Sequence, residues 1–289
     1  MRRLIATVAL ALAVTLPFVA ADTAQASKKQ TSRAAAVNPA LAAAIADSRR
    51  NEDRARDQYR KPAETLAFFQ ITPDMKVGEY APGGGWYSRL LGLYLGPQGK
   101  LVGLYFDPTS GAFSETAQKG IRDGAAKYPA EVSNWSGQPA ANFTAYPLDA
   151  VPEGEKGSFD RILVMRMVHN LLRWNTADRE IRAMRDLLKP DGMVGIEQHR
   201  AKPSAPYSYT NGAKGYLRET DVIRLMELNG FTFVGKSEAN ANPKDTADHA
   251  EGVWHMPPVL SGVTDEAEKV KLRAIGESDR MTLLFRKRP

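Results

Sequence analysis

A run of glycines marks the stretch of this chain whose residue types best suit ligand binding. Residues 77–87 read Val-Gly-Glu-Tyr-Ala-Pro-Gly-Gly-Gly-Trp-Tyr, so an apolar stretch ends in Gly83–Gly85 and a helical pattern follows. Without a Cβ, backbone can approach a ligand closely, and the next helix would offer free N–H groups and the positive end of its dipole. The loop lacks the Lys-Ser/Thr pair of a P-loop. A ligand-binding loop or a tight structural turn would both account for it.

Two of the four histidines follow strand-like stretches, and the other two, His249 and His255, lie in a late loop. His169 follows one apolar stretch of strand length and His199 ends another, which predicts both at the carboxyl edge of a sheet, where open α/β folds bind ligands. An imidazole suits a general base, although a hydrogen-bonded structural histidine fits the same positions. Asp245 and His249 are four residues apart in a loop. That loop is predicted to be solvated, to contact substrate, or to hold a metal, but its spacing matches no known ligand pattern.

The elements that must position these residues follow from hydrophobic periodicity. Strand-length apolar stretches alternate with helical patterns over residues 86–95, 114–128 and 176–188. This alternation predicts a doubly wound, mostly parallel seven-stranded sheet with helices on both faces, a Rossmann-like α/β fold. Further helices are predicted near the N-terminus, where the charged residues 49–60 are expected to form a solvated face. The predicted strands cover residues 76–81, 101–106, 142–146, 159–165, 193–198, 231–236 and 281–287.

The first twenty-six residues are typical of an export signal. A basic start at Arg2 and Arg3 precedes an apolar run over residues 4–20 and the small-x-small sequence Ala24-Gln25-Ala26, the pattern of a secretory signal peptide. A membrane anchor is the weaker interpretation, because the run contains proline and no charged block follows it. We therefore predict a signal peptide at 1–26, a disordered tether at 27–38 and one domain at 39–289. The location would be periplasmic or secreted, with no stable membrane span after cleavage.

Composition narrows the function classes further. The chain of 289 residues contains no cysteine, which removes disulfides, thiolate zinc sites and a cysteine nucleophile. Its net charge of +6 is spread along the sequence, so a solvated surface is favoured over a nucleic-acid footprint. No Gly-x-Ser-x-Gly elbow is present, which argues against an α/β-hydrolase.

Residues 79–85 resemble the first motif of the class I S-adenosylmethionine-dependent methyltransferases, an acidic residue followed by Gly-x-Gly-x-Gly. The resemblance implies that Glu79 corresponds to the acid, that Gly83 and Gly85 correspond to the second and third glycines, and that Ala81 replaces the first. In that family the loop lines the methionine and ribose parts of the cofactor, so the resemblance implies S-adenosylmethionine as cofactor.

The resemblance extends over residues 76–198, with one serious departure. Residues 158–164 and 188–193 resemble the fourth strand and the turn into the fifth, and residues 100–104 resemble the second strand. In this family an acid at the end of that second strand binds the ribose hydroxyls, but Tyr105 stands there and the nearest carboxylate is Asp107. A charged hydrogen bond contributes about 1.5–3 kcal/mol, so either Asp107 substitutes or cofactor binding is weakened. The predicted cofactor-binding residues are Glu79, Ala81, Gly83, Gly84, Gly85, Tyr105 and Asp107.

A narrower resemblance links residues 81–87, 167–170, 197–201 and 242–245 to a group of exported bacterial methyltransferase-like proteins. The sequence therefore predicts a methyltransferase for a small-molecule acceptor, with His169 or His199 orienting or deprotonating that acceptor. One alternative is an exported, non-catalytic ligand-binding or accessory protein on the same fold. A weaker alternative is a metal-assisted hydrolase that uses both histidines with Asp245 and His249. The predicted substrate contacts are Trp86, Tyr87, Asn170, Arg200, Asp245 and His249.

Overall fold

The structure, a computed structural model, describes residues 38–96 and 98–289. The predicted signal peptide lies outside these residues, and so does the predicted tether apart from Asn38. Within the described ranges, no helix has both the length and the apolar character needed to cross a bilayer.

The strands form one sheet of seven in the order β3-β2-β1-β4-β5-β7-β6. Every pairing from β3 through β5 is parallel, whereas β7 runs antiparallel to both β5 and β6. The predicted mostly parallel sheet is confirmed, and β7 is the exception. The strands are β1 Lys76–Tyr80, β2 Lys100–Tyr105, β3 Phe143–Pro147, β4 Phe159–Met165, β5 Leu188–His199, β6 Phe231–Ser237 and β7 Arg280–Lys287.

Helices cover both faces of this sheet. Successive side chains of a strand point to opposite faces, so Ile162 and Leu163 of β4 belong to different apolar cores. Ile162 packs with Ile181 and Met226, and Leu163 packs on the side of Leu90. The helices are α1 Pro39–Ala46, α2 Asp57–Arg60, α3 Pro62–Phe68, α4 Trp86–Leu95, α5 Glu115–Ser136, α6 Val168–Arg173, α7 Ala177–Leu187, α8 Tyr207–Thr210, α9 Glu219–Leu228 and α10 Glu266–Ile275.

The connections on either side of β1 and β4 run in opposite directions along the sheet. From β1 the chain continues to β2 and β3, and from β4 it continues to β5 on the other side. Ligands of open α/β sheets bind outside the carboxyl ends of the strands at such a reversal point. The fold therefore directs attention to the ends of β1 and β4.

The predicted bounds of one helix and one strand are wrong. Helix α5 continues through Pro129 to Ser136 instead of ending near residue 128, because Val132 is fully buried in the core. Strand β5 begins at Leu188 rather than residue 193, since Leu188 pairs with Phe159 ahead of a register shift.

The charged residues 49–60 were expected to face solvent, but Arg50, Asp53 and Arg60 are buried. Their burial follows from tertiary packing: the guanidinium carbons of Arg50 and Arg60 lie 5.1 Å and 4.7 Å from the ring centroid of Trp86. The N-terminal segment thus packs against the residue that follows the glycine loop.

Candidate functional site

A cavity of about 370 Å³ opens at the carboxyl ends of β1, β4 and β5. It gathers residues from the glycine loop, the start of α6 and the end of β5, together with the N-terminal segment and a late loop. Nine of the predicted site residues line it: Glu79, Ala81, Gly83, Gly84, Trp86, Tyr87, His169, Asn170 and His199.

The glycine loop has a backbone shape that needs glycine at particular positions. Gly83 and Gly85 have φ values of +60° and +74°, and a Cβ on Gly85 would lie 2.7 Å from the ring of Trp135. Gly84 is different, since a Cβ placed there would meet nothing within 4 Å. Internal packing therefore requires glycine at residue 85 but leaves open space at residue 84, which lines the cavity.

Glu79 lies beneath this loop as a buried carboxyl group. Ser88 Oγ donates a hydrogen bond to its Oε2 at 2.6 Å, and Tyr128 Oη donates to the same oxygen at 3.2 Å. Burial raises the pKa of Glu79 to about 7, against the opposing effect of those two hydrogen bonds. A part of the Glu79 population is therefore protonated at neutral pH.

His169 and His199 face the cavity side by side, with ring centroids 5.8 Å apart. Burial lowers the pKa of His169 to about 4, and burial with the neighbouring His169 and Arg166 lowers the pKa of His199 well below its usual value. Nδ1 of His199 lies 2.6 Å from Ser278 Oγ. Both rings are neutral at neutral pH, so they can accept a hydrogen bond from a ligand but are weak bases.

Sequence reasoning missed the four arginines that line the same cavity: Arg56, Arg60, Arg89 and Arg166. Arg166 follows β4 directly and has φ +60°, and its Nη1 donates to Oε1 of Glu197 at 3.1 Å. Its position at the end of a central strand is the signal that selected His169, so the same argument could have found it. For Arg56 and Arg60 the only signal in the sequence is their spacing of four residues, which places them on one face of a helix but indicates no site.

The carboxylates opposite these arginines come from β5 and from the turn before β7. Nε of Arg56 lies 2.5 Å from Oε1 of Glu277, and Nε of Arg60 lies 3.4 Å from its Oε2. Arg280 Nη1 bridges Glu277 at 3.0 Å and Glu197 at 2.8 Å. Behind the cavity lies a network of charged side chains, in which Arg60, Arg280, Glu197 and Glu277 are buried and Arg56 and Arg166 are partly exposed.

Tyr105 and Asp107 lie elsewhere, outside the set of residues that line this cavity. Oδ2 of Asp107 lies 2.5 Å from Nη2 of Arg179, and its Oδ1 accepts the Thr109 N–H at 2.7 Å. The Tyr105 ring packs edge-on against Tyr128, with centroids 6.2 Å apart. The Asp107 carboxylate is thus engaged by neighbouring protein groups.

The remaining predicted residues also lie apart from the cavity. Arg200 and Asp245 line a separate cavity of about 380 Å³. There Nε of Arg200 lies 2.9 Å from Oδ2 of Asp279. Asp245 accepts hydrogen bonds from Tyr216 Oη at 2.8 Å and from the Asp279 N–H at 2.8 Å, and Nε2 of His249 lies 2.9 Å from its Oδ1. Across residues 38–96 and 98–289, no three histidine or acidic side chains are grouped as a metal site.

Comparison with known proteins gives likenesses of structure only. No family model matches the chain, and no curated protein matches it either. One similar solved structure is a SAM-dependent methyltransferase from Aquifex aeolicus, with 18% identity over 64% of this chain and 86% of that one and a TM-score of 0.45.

Two further solved structures are similar at the same level. The Mesorhizobium loti S-adenosylmethionine-dependent methyltransferase has 14% identity over 78% of this chain and 96% of its own, with a TM-score of 0.44. The Burkholderia thailandensis 1,6-didemethyltoxoflavin-N1-methyltransferase, solved with bound 1,6-didemethyltoxoflavin and S-adenosylhomocysteine, has 12% identity over 83% and 82%, with a TM-score of 0.47. From its own strand order and its antiparallel β7, the chain has the Rossmann-like fold of the class I S-adenosylmethionine-dependent methyltransferases.

Proposed function

We propose that this protein is an S-adenosylmethionine-dependent methyltransferase that acts on a small-molecule acceptor. The observation that carries the proposal is Gly84: it lines the cavity at the end of β1, and its missing Cβ fills no packing need inside the protein. Room for a ligand explains why glycine stands there. The first motif, residues 79–85, is the element that the methyltransferase resemblance assigns to cofactor binding.

The residues of the cavity supply positioning rather than acid–base power. The cofactor contributes a methyl group on a sulfonium, and its transfer is an in-line displacement that depends mainly on how the acceptor is oriented. The loop 83–85 would bind the cofactor through its backbone. Neutral His169 and His199 would accept hydrogen bonds from the acceptor, and Trp86 and Trp254 would exclude water from the cavity that they line.

Gly84→Val is the variant that tests this function, measured by calorimetric titration with S-adenosylmethionine and S-adenosylhomocysteine. We expect binding by the wild type and its loss in Gly84→Val, since the new side chain enters the cavity. Gly154→Val is the matched control, because a Cβ at Gly154 also meets nothing within 4 Å and Gly154 does not line the cavity. An absence of heat and of thermal shift in the wild type at millimolar ligand would contradict the proposal.

A second candidate function is a non-catalytic ligand-binding or accessory protein on this fold. It is favoured by Asp107, whose carboxylate is held by Arg179 and Thr109 and so is not free for ribose hydroxyls. Under this alternative the titration above gives no heat while the cavity still binds another small molecule.

We also propose that the protein is exported to the periplasm or secreted, on the strength of the signal-like residues 1–26. Mass spectrometry of protein purified from an exporting host is the test. A mass that begins at Ser27 supports export, and an intact Met1 contradicts it.

A further inference from the structure

The network of charged side chains beside the cavity carries more positive than negative charge. Four guanidinium groups contact only two carboxylates, so this network has an excess of two positive charges. We call it the arginine cluster, and it comprises Arg56, Arg60, Arg166, Arg280, Glu197 and Glu277.

The other acidic side chains of the cavity do not balance this excess. Asp53 is held by Arg89, whose Nε and Nη2 each lie 2.6 Å from its carboxylate oxygens. Glu79 is bound by Ser88 and Tyr128, and burial raises its pKa to about 7. Unbalanced charge out of water costs several kcal/mol per ion unless a partner is supplied, so the cluster is built for an anion from outside the chain.

Arg60 shows where that anion would bind. Its side chain is 4% exposed, yet its Nη1 is buried without a hydrogen-bond partner among the described residues. The guanidinium is stacked over Trp86 at 4.7 Å, and its one carboxylate contact, with Glu277, is long at 3.4 Å. A buried cationic donor without an acceptor is strongly disfavoured, and Arg60 lines the cavity.

Arg56 and Arg166 extend the site across two chambers. Both line the glycine-loop cavity and also a second cavity of about 200 Å³, and the two cavities share His199 and Trp254 as well. An anion held between these arginines therefore lies where the two cavities meet, beside His199 and Trp254. The second chamber continues past them to Ser278, with room for the rest of a small molecule.

We propose that an oxyanion group of the methyl acceptor, a carboxylate or a phosphate, binds to Arg60 and Arg166 with Arg56 at its rim. The planar donor fork of arginine suits such a group. The inference rests on the proposed function, because it identifies the anionic ligand as the acceptor. It narrows the acceptors to small acids or phosphorylated compounds.

Inorganic phosphate is the probe, titrated into the protein at constant ionic strength with chloride as the reference salt. We expect a saturable rise in Tm and measurable heat for the wild type. In Arg60→Met and in Arg166→Gln, the affinity for phosphate should be weaker than in the wild type by about tenfold or more. Arg224→Gln, which alters an exposed arginine of α9, should bind phosphate like the wild type. Arg60→Met still leaves three guanidinium groups for the two carboxylates, so each carboxylate keeps a counter-charge and the Tm without phosphate should not fall.

A phosphate effect no larger than that of chloride, or one unchanged in Arg60→Met, would overturn the anion site. The same titration at saturating S-adenosylhomocysteine shows whether the anionic group belongs to the acceptor or to the cofactor. Additive binding supports an acceptor group, whereas mutual exclusion would show that the arginines hold the carboxylate of the cofactor and would overturn the acceptor assignment. Phosphate binding without any S-adenosylhomocysteine binding would leave the anion site standing and remove the methyltransferase proposal.

Discussion

The hydroxyl of Tyr87 donates a hydrogen bond to Oε2 of Glu197 across 2.8 Å, joining the first turn of α4 to strand β5. Glu197 is completely buried. Burial opposes its ionised form, but the charges of Arg280, Arg166 and Arg60 outweigh that effect and hold its pKa at about 2. The glycine loop and the arginine cluster are therefore connected through one ionised carboxylate.

Replacing Glu197 by glutamine should lower the free energy of unfolding by about 3–5 kcal/mol, because it leaves buried guanidinium groups without their counter-charge. Urea unfolding at neutral pH measures this. Glu153→Gln is the control: Glu153 pairs with Lys156 on the surface with its side chain 83% exposed, where a pair contributes about 0–1 kcal/mol. Equal effects in the two variants would contradict the role assigned to Glu197.

Alanine should destabilise the protein at Gly85 but have little effect at Gly84. Gly85 has φ +74° and no space for a Cβ beside Trp135, so Gly85→Ala should lower stability by at least about 1–2 kcal/mol. Gly84 has open space, so Gly84→Ala should change stability by no more than about 0.5 kcal/mol. Thermal unfolding of both variants without ligand is the measurement, and similar losses in both would show that the loop geometry is wrong.

The pH dependence of stability should reflect His169. Its pKa in the folded protein is about 4, below the ordinary 6.5, so between these values the unfolded chain binds a proton that the folded protein does not. Stability is therefore lost as pH falls from about 6.5 to about 4, by about 3 kcal/mol for this residue. His169→Gln removes the titrating group, so the stability of this variant relative to the wild type should rise as the pH falls through that window. A flat difference would contradict a neutral, buried His169.

Much of the fold was predictable because its signals are local. The apolar residues of β4 and the glycine loop after β1 are contiguous stretches, and their order fixes a parallel sheet with a cleft at its carboxyl edge. His169 and His199 could be placed at that edge by the same reasoning. The antiparallel direction of β7 has no local signal, since a strand pattern is the same in either direction.

The arginine cluster was not predictable in the same way. Arg60 belongs to a charged stretch that resembles a solvated helix, and only packing against Trp86, far along the chain, buries it. Glu197 and Arg280 meet because β5 and β7 pair antiparallel, which brings together residues separated by most of the C-terminal third. Asp107 shows a further limit: its type and spacing left a ligand contact open, and its ion pair with Arg179 of α7 has no signal in the local sequence.

Two neighbouring strands of the sheet end in non-glycine residues with left-handed backbone, Ala81 after β1 and Arg166 after β4, at φ +48° and +60°. Each such residue costs of order 1–3 kcal/mol and persists only where its surroundings hold it. Here the Ala81 N–H donates to Leu104 O at 2.7 Å and the Arg166 N–H donates to Glu197 O at 2.5 Å. The cost of this backbone strain is therefore already included in the free energy of folding. The cleft is preorganised, and a ligand should enter it without remodelling the backbone.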